Sequence, residues 1–236
     1  MLDLKQIEGL TAPEILAWAL ETYGERFAIA TGFQKSGMVL LDLAARTGRP
    51  CRVFTLNTGR LPQQTLSMAA TVHQHYGIAV ELVSPDHKEV QEMIEQHGPD
   101  LFYDGVEFRQ LCCETRKVRP LARKLAALDA WATGLRRDQA ETRAAVPKAA
   151  LVEGRIKISP LADWTAAQVD EYTRVHNVPV HPLYAQGYTS IGCAPCTRPV
   201  EPGEGDRAGR WWWEHDAKKE CGIHFAPDGS VRRAGS

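Results

Sequence analysis

Phe27-Ala-Ile-Ala-Thr31 is an apolar run of strand length, Gly32-Phe-Gln-Lys-Ser-Gly37 is a loop bounded by glycines, and Met38 to about Arg46 is a helical stretch. Strand, loop and helix in that order make the first step of an alternating α/β chain. The alternation continues downstream. Cys51 to Leu56 reads as a second strand, with Asn57-Thr-Gly-Arg60 as its exit turn and Pro62 to Tyr76 as a helix. Ile78 to Val83 is a third strand and Lys88 to His97 a helix; Glu114 to Leu128 is helical, and Ala130-Trp-Ala-Thr133 is a strand ending at Gly134. Upstream, Thr11-Ala-Pro-Glu14 is a capping box opening a helix that runs to about Tyr23. The expected fold is therefore α/β, a mostly parallel twisted sheet with helices on both faces. Ligands of such sheets bind beyond the carboxyl ends of the strands, which puts the turns at 31–37, 57–61 and 134–138 along one rim.

Composition changes near Pro182. From Gly187 onward the chain is rich in glycine and proline and poor in periodicity. The expected organisation is an α/β domain over 1–186, a long mobile tail over 187–225, and a disordered end over 226–236. The chain carries 28 Lys and Arg against 29 Asp and Glu, with a formal net charge of −1. Neither a nucleic-acid field nor a membrane-surface field follows from that balance. No run reaches the roughly 18 apolar residues of a spanning helix, and the N-terminus lacks the pattern of a secretory signal. The expected location is the cytoplasm, with neither membrane nor nucleic acid as partner.

Six cysteines in a reducing compartment need a reason other than disulfides. Cys51, inside the second strand, reads as a small buried hydrophobe. Cys112-Cys113 and Cys193-Ala-Pro-Cys196 read as metal ligands. A C-x-x-C lets two sulfurs converge on one centre. Directly adjacent cysteines have a strained bite on one ion and fit two irons of a [4Fe–4S] cube more comfortably; a structural zinc is the alternative. Lys117, four residues after Cys113, falls on the same helix face. Arg136 and Arg137 follow Gly134 at a strand end, Arg143 is a few residues on, and Arg207 and Arg210 precede Trp211-Trp212-Trp213. Guanidinium groups from separated segments near one rim suit an anion of the phosphate or sulfate kind. The tryptophans read as packing that seals the tail on the body. Cys221, followed by Gly222 and His224, has no packing reason to stand where it does and reads as a reactive thiolate.

These residues carry a family resemblance over about 25–225. Cys112-Cys113 with Lys117, Thr133-Gly-Leu-Arg-Arg-Asp-Gln139, Ser159-Pro-Leu-Ala-Asp-Trp164, Cys193-x-x-Cys196, Arg207-Ala-Gly-Arg-Trp211 and Glu220-Cys-Gly-Ile-His224 resemble the assimilatory adenylyl-sulfate reductases, relatives of the phosphoadenylyl-sulfate reductases. The resemblance implies an adenine nucleotide α-hydrolase-like core with a modified pyrophosphatase-type loop at Thr31–Gly37. It implies a [4Fe–4S] cluster on Cys112, Cys113, Cys193 and Cys196. It implies adenylyl sulfate as substrate, because members with the four cysteines mostly use it and members without them use the 3′-phosphorylated form. Lys117, Arg143, Arg207, Arg210 and His224 would surround the phosphosulfate, with Arg136 and Arg137 in the same cationic group. Leu56, Thr58 and Gly134 would line the nucleoside site, with Ser36 in the first loop. The chain departs from the family pattern at Gln34-Lys35 and at Asn57, where acidic residues are usual.

The chemistry implied is a two-step displacement. Cys221 attacks the sulfate sulfur and expels AMP, and a second thiol, by analogy that of thioredoxin, releases sulfite. Gly203, Gly205 and Gly209 suit a tail that closes and opens. A phosphoadenylyl-sulfate or dual-specificity reductase is the nearest alternative. A tRNA-thiolating relative would need an intact S-G-G-x-D-S loop and a basic surface, which the chain lacks; a zinc or redox-sensing protein without activity is the remaining class. An assembly of identical subunits is compatible with the sequence and not fixed by it.

Overall fold

The structure is a computed structural model that describes residues 4–140, 143–214, 224–225 and 231–232. The chain forms two compact units. The first comprises Met1–Thr55, Ser67–Glu81 and Ala127–His181; the second comprises Leu56–Leu66, Leu82–Ala126 and Pro182–Ser236.

The first unit is built on a six-stranded sheet of order β3-β2-β1-β4-β6-β5. The strands are β1 (Phe27–Ala30), β2 (Arg52–Leu56), β3 (Val80–Val83), β4 (Ala130–Thr133), β5 (Ala149–Val152) and β6 (Arg155–Ile158). β1 pairs in parallel with β2 and β4, and β4 in parallel with β6. β1 and β4 are buried along almost their whole length, the reason both read as unbroken apolar runs. Helices α1 (Leu4–Ile7), α2 (Ala12–Tyr23), α3 (Lys35–Arg46) and α8 (Ala166–Val175) belong to this unit. Ile15, Leu16 and Ala19 of α2, Val39 and Leu40 of α3, Ile29 and Ala132 of the sheet and Val169 of α8 share its core. α2 begins with the expected capping box, Thr11 N–H donating to Glu14 Oε2 at 2.7 Å. β5 and β6 form an antiparallel hairpin that the sequence reading did not assign. Its two-residue turn, Glu153-Gly154, has φ of 47° and 76°, the left-handed pair that matches the twist of a hairpin.

The second unit holds α5 (His87–His97), α6 (Val106–Cys113) and α7 (Arg119–Leu125), together with α4 (Gln63–Tyr76) as far as Leu66. The continuous helix expected over Glu114–Leu128 is interrupted. Residues Glu114–Val118 form a π-helical segment, closed by Arg119 N–H donating to Glu114 O. Pro120, just beyond, lacks the N–H a regular helix would use, so the wider turn relieves a register the proline cannot continue. Beyond Pro182 the described chain is short turns, Pro182–Gln186 and Ala194–Cys196, followed by the two-residue strands β7 (His224–Phe225) and β8 (Val231–Arg232).

Candidate active site

The first unit presents the rim expected at the ends of β1 and β4. Gly134, directly after β4, meets the first turn of α3. A β-carbon there would lie 2.7 Å from Gly37 N and from Ser36 C, so the two turns touch backbone on backbone and only glycine fits. Arg136 is buried and donates to Ser36 Oγ from Nη1 and to Asp138 Oδ1 from Nε at 2.9 Å. Asp138 Oδ2 in turn accepts from Ala166 N at 2.7 Å, the first residue of α8. Arg137 donates to Val146 O at 2.8 Å and to Glu8 Oε2 at 2.9 Å. Both arginines that the sequence placed at the rim are thus tied into the unit's framework. Arg143 donates to Gln139 Oε1 at 2.7 Å. Lys157 of β6, which the sequence reading passed over, is pushed down to about 8 by burial and by the Arg143 cation.

The second unit gathers the cysteines. Cys112 and Cys113 close α6, and Cys193 and Cys196 flank a single 3₁₀ turn. All four are buried and free of disulfides. Cys112, Cys193 and Cys196 share one packed cluster with Phe102 and Trp211. The turn is held from three sides. Ala194 N donates to Arg60 O at 2.8 Å, Thr197 Oγ1 to Cys193 O at 3.0 Å, and Trp211 N to Cys196 O at 3.2 Å. Thr58, expected to line a nucleoside, has its hydroxyl 3.2 Å from Cys193 Sγ. Arg116, in the π segment, is buried and donates to Thr58 O at 2.9 Å.

Burial raises the Cys112 thiol, with Arg116, Arg60 and Lys117 pulling the other way and Cys193 adding to the rise. Burial pushes Cys196 up to about 12, reinforced by Cys193 and opposed by Lys117 and Arg210. Four cationic side chains thus act on a buried group of sulfurs. Burial, the larger effect, favours the neutral thiols, and the cations oppose it. Among the described residues no three His, Cys, Asp or Glu side chains are set to hold one metal ion. Cys51, by contrast, is pushed up to about 12 by burial alone and packs on the first unit's core, the inert role expected of it.

Arg207 and Arg210 stand beside Trp211, their guanidinium carbons 6.0 and 4.6 Å from its ring centroid. Arg210 is buried, and its residue pairs across an antiparallel bridge with Thr197. Leu56 is the last residue of β2. His224 opens β7, with Arg232 as its partner. Cys221 lies outside the described residues. Arg60, Arg109, Arg116 and Glu214 escaped the sequence reading; of these, Arg116 alone carried a local signal, standing between the cysteine pair and Lys117.

Residues 26–199 match the model of the phosphoadenosine phosphosulfate reductase domain. The chain is 47% identical over 208 residues to the adenosine 5′-phosphosulfate reductase of Allochromatium vinosum, covering 86% of this chain and 81% of that one. It is 46% identical over 203 residues to the adenosine 5′-phosphosulfate reductase of Burkholderia cepacia, covering 85% and 81%. Among solved structures, the phosphoadenylyl-sulfate reductase of Candida auris in a phosphate complex aligns with a TM-score of 0.70 at 28% identity, covering 83% of this chain and 97% of that one.

Proposed function

From the membership of this chain in the phosphoadenosine phosphosulfate reductase domain family, we propose that it reduces adenylyl sulfate to sulfite and AMP, with thioredoxin as thiol donor, in sulfate assimilation in the cytoplasm. The observation that carries this reading is the buried cysteine group of the second unit, with Arg60, Arg116, Lys117 and Arg210 acting on it. Cys112, Cys113, Cys193 and Cys196 would hold a [4Fe–4S] cluster. Bound there, the cluster would supply a compact fixed charge beside Lys117.

The chain's own residues carry the steps. Cys221 thiolate attacks the sulfate sulfur, an S–S bond forms, and the S–O bond to the phosphate breaks with its electron pair staying on the phosphate oxygen. AMP leaves and Cys221 holds an S-sulfo group. Lys117, Arg143, Arg207, Arg210 and His224 offset the charge that grows on the departing phosphate. Leu56, Thr58, Ser36 and Gly134 place the nucleoside. A thiolate of the donor dithiol then attacks Cys221 Sγ and expels sulfite with the electron pair of the old S–S bond. The donor's second thiol resolves the mixed disulfide, so sulfur falls from +6 to +4 as a dithiol becomes a disulfide. The segment 187–225 serves as ligand carrier and catalytic tail. No helix among the described residues is long and apolar enough to cross a membrane.

The test uses anaerobically purified protein and adenylyl sulfate without a thiol donor. One AMP per active site should appear, and the peptide holding Cys221 should gain about 80 daltons, the mass of SO₃. Thioredoxin should then release sulfite. Continued AMP release without donor, or added mass on another cysteine, defeats the mechanism. A second reading, reduction of the 3′-phosphorylated nucleotide, is favoured by the Candida auris likeness; comparable kcat/KM for the two nucleotides would make the enzyme dual-specific.

A further inference from the structure

Arg109 lies on α6, three residues before Cys112, and is 2% exposed. A guanidinium so deeply buried needs a partner on the spot. It has Glu214, reached by Nε at 2.5 Å and by Nη2 at 3.2 Å, the two-pronged geometry that fixes a carboxylate in one orientation. The same guanidinium lies over the ring of Trp211, 4.4 Å from its centroid. Arg210 and Arg207 approach that ring as well. Three cations around one indole repel one another, and the ring's negative face offsets only part of it. Glu214 neutralises Arg109.

Trp211 is fully buried and has a φ of 43°. A bulky residue holds that left-handed conformation only when its surroundings fix it. They do: its N–H donates to Cys196, and the neighbouring Arg210 is bridged to Thr197. The side chain is fixed by Arg109. Arg210 follows, because Gly192 gives its guanidinium room that any side chain there would fill.

We infer that the Arg109–Glu214 pair, with Trp211 stacked on it, is a positioning unit that holds Arg207 and Arg210 ready as an anion clamp for the sulfated end of the nucleotide. Neither Arg109 nor Glu214 touches substrate. The inference rests on the assignment of Arg207 and Arg210 as phosphosulfate ligands. A pair that only stabilised the unit would change melting and leave ligand selectivity alone; a positioning pair changes selectivity.

The experiment compares binding of adenylyl sulfate and of adenosine, which lacks both anionic groups, to the anaerobic holoenzyme. The variants are R109M/E214M, R109K and R210A. Replacing both members of a buried pair by apolar residues is commonly tolerated, so the double variant should keep its fold and its visible iron–sulfur absorbance. It should bind adenylyl sulfate at least about tenfold more weakly while adenosine stays within about twofold. R109K retains the charge but cannot fork or stack flat, and should show the same selective loss to a smaller degree. If the double variant does not fold, R109K decides the matter alone. Unchanged affinity for adenylyl sulfate in the folded variants, or parallel losses for both ligands, overturns the inference. An R210A protein that binds adenylyl sulfate normally would instead overturn the assignment of the clamp.

Discussion

A β-carbon on Gly192 would stand 2.5 Å from Nη2 of Arg210. Gly192 precedes the first cysteine of the C-x-x-C turn, and the buried Arg210 guanidinium fills the space beside it. Gly192→Ala should therefore expel this guanidinium. The expected cost in stability is about 1–3 kcal/mol, the usual range for overpacking, and kcat/KM for adenylyl sulfate should fall further than stability does. Steady-state kinetics beside a urea titration would show it; wild-type kcat/KM in the folded variant would mean Arg210 has other room.

Gly134 makes a less yielding contact, because the atoms it meets are the backbone of Ser36 and Gly37. Backbone cannot swing aside as the end of an arginine can. Gly134→Ala should push the turn after β4 away from the first turn of α3, destabilise the first unit by about 1–3 kcal/mol, and weaken nucleotide binding. A urea midpoint equal to wild type would show that the two turns part at little cost.

Serine in place of Cys112, Cys113, Cys193 or Cys196 keeps the shape of the side chain and removes the thiolate. Each of these variants should purify with depleted iron and faded visible absorbance, whereas Cys51→Ser should retain both. Iron per protein, measured colorimetrically, checks the set. A fully iron-loaded variant at any of the four positions would remove that cysteine from the ligands.

Lys157 gives a pH signature. Its ammonium is pushed from 10.5 down to about 8 in the folded protein, by burial first and by Arg143 second. Between about pH 8 and 10.5 the unfolded chain therefore binds more protons than the folded one, and stability contributed at this site rises with pH across that window. Below pH 8 the buried charge is a standing cost. Lys157→Met should raise stability at pH 7 by roughly 2–3 kcal/mol, with the gain shrinking as pH climbs toward 10.5. Urea midpoints of both proteins from pH 7 to 10.5 test the sign. A gain that is constant with pH would show that packing and not charge is responsible.

How much of this was legible in the sequence depends on the range over which each signal acts. β1, its glycine loop, α3 and β4 were readable because buried parallel strands are continuous apolar runs with glycines at their ends. The β5–β6 hairpin was not, because its strands are four residues each and β6 carries Arg155 and Lys157. α6 was missed because Gly105 gives no capping side chain and the cysteine pair interrupts its polar pattern. The π segment follows from Pro120, visible in the sequence, yet its effect lies upstream of the proline and was read as unbroken helix. Among site residues, the cysteines and Lys117 announced themselves by spacing. Arg109 and Glu214 stand 105 positions apart, and no local pattern marks a pair whose meaning exists only once the chain has folded. Thr58 is a nucleoside contact by family resemblance, and its hydroxyl's place beside Cys193 depends on a turn that arrives much later in the chain.

The second unit is assembled from three separate stretches of sequence, the last of them beginning at Pro182. A ribosome delivers them in order. Cys193 follows Cys113 by 80 positions, 193 less 113, so at about 5–20 residues per second the first cysteine pair waits roughly 4–16 s for its counterparts to be made. During that interval two adjacent thiols are outside any finished pocket and open to oxidants or stray metal. Completion of the four-cysteine group is therefore a late event of synthesis, and slow translation between Ala126 and Pro182 would lengthen the period in which the nascent chain is vulnerable.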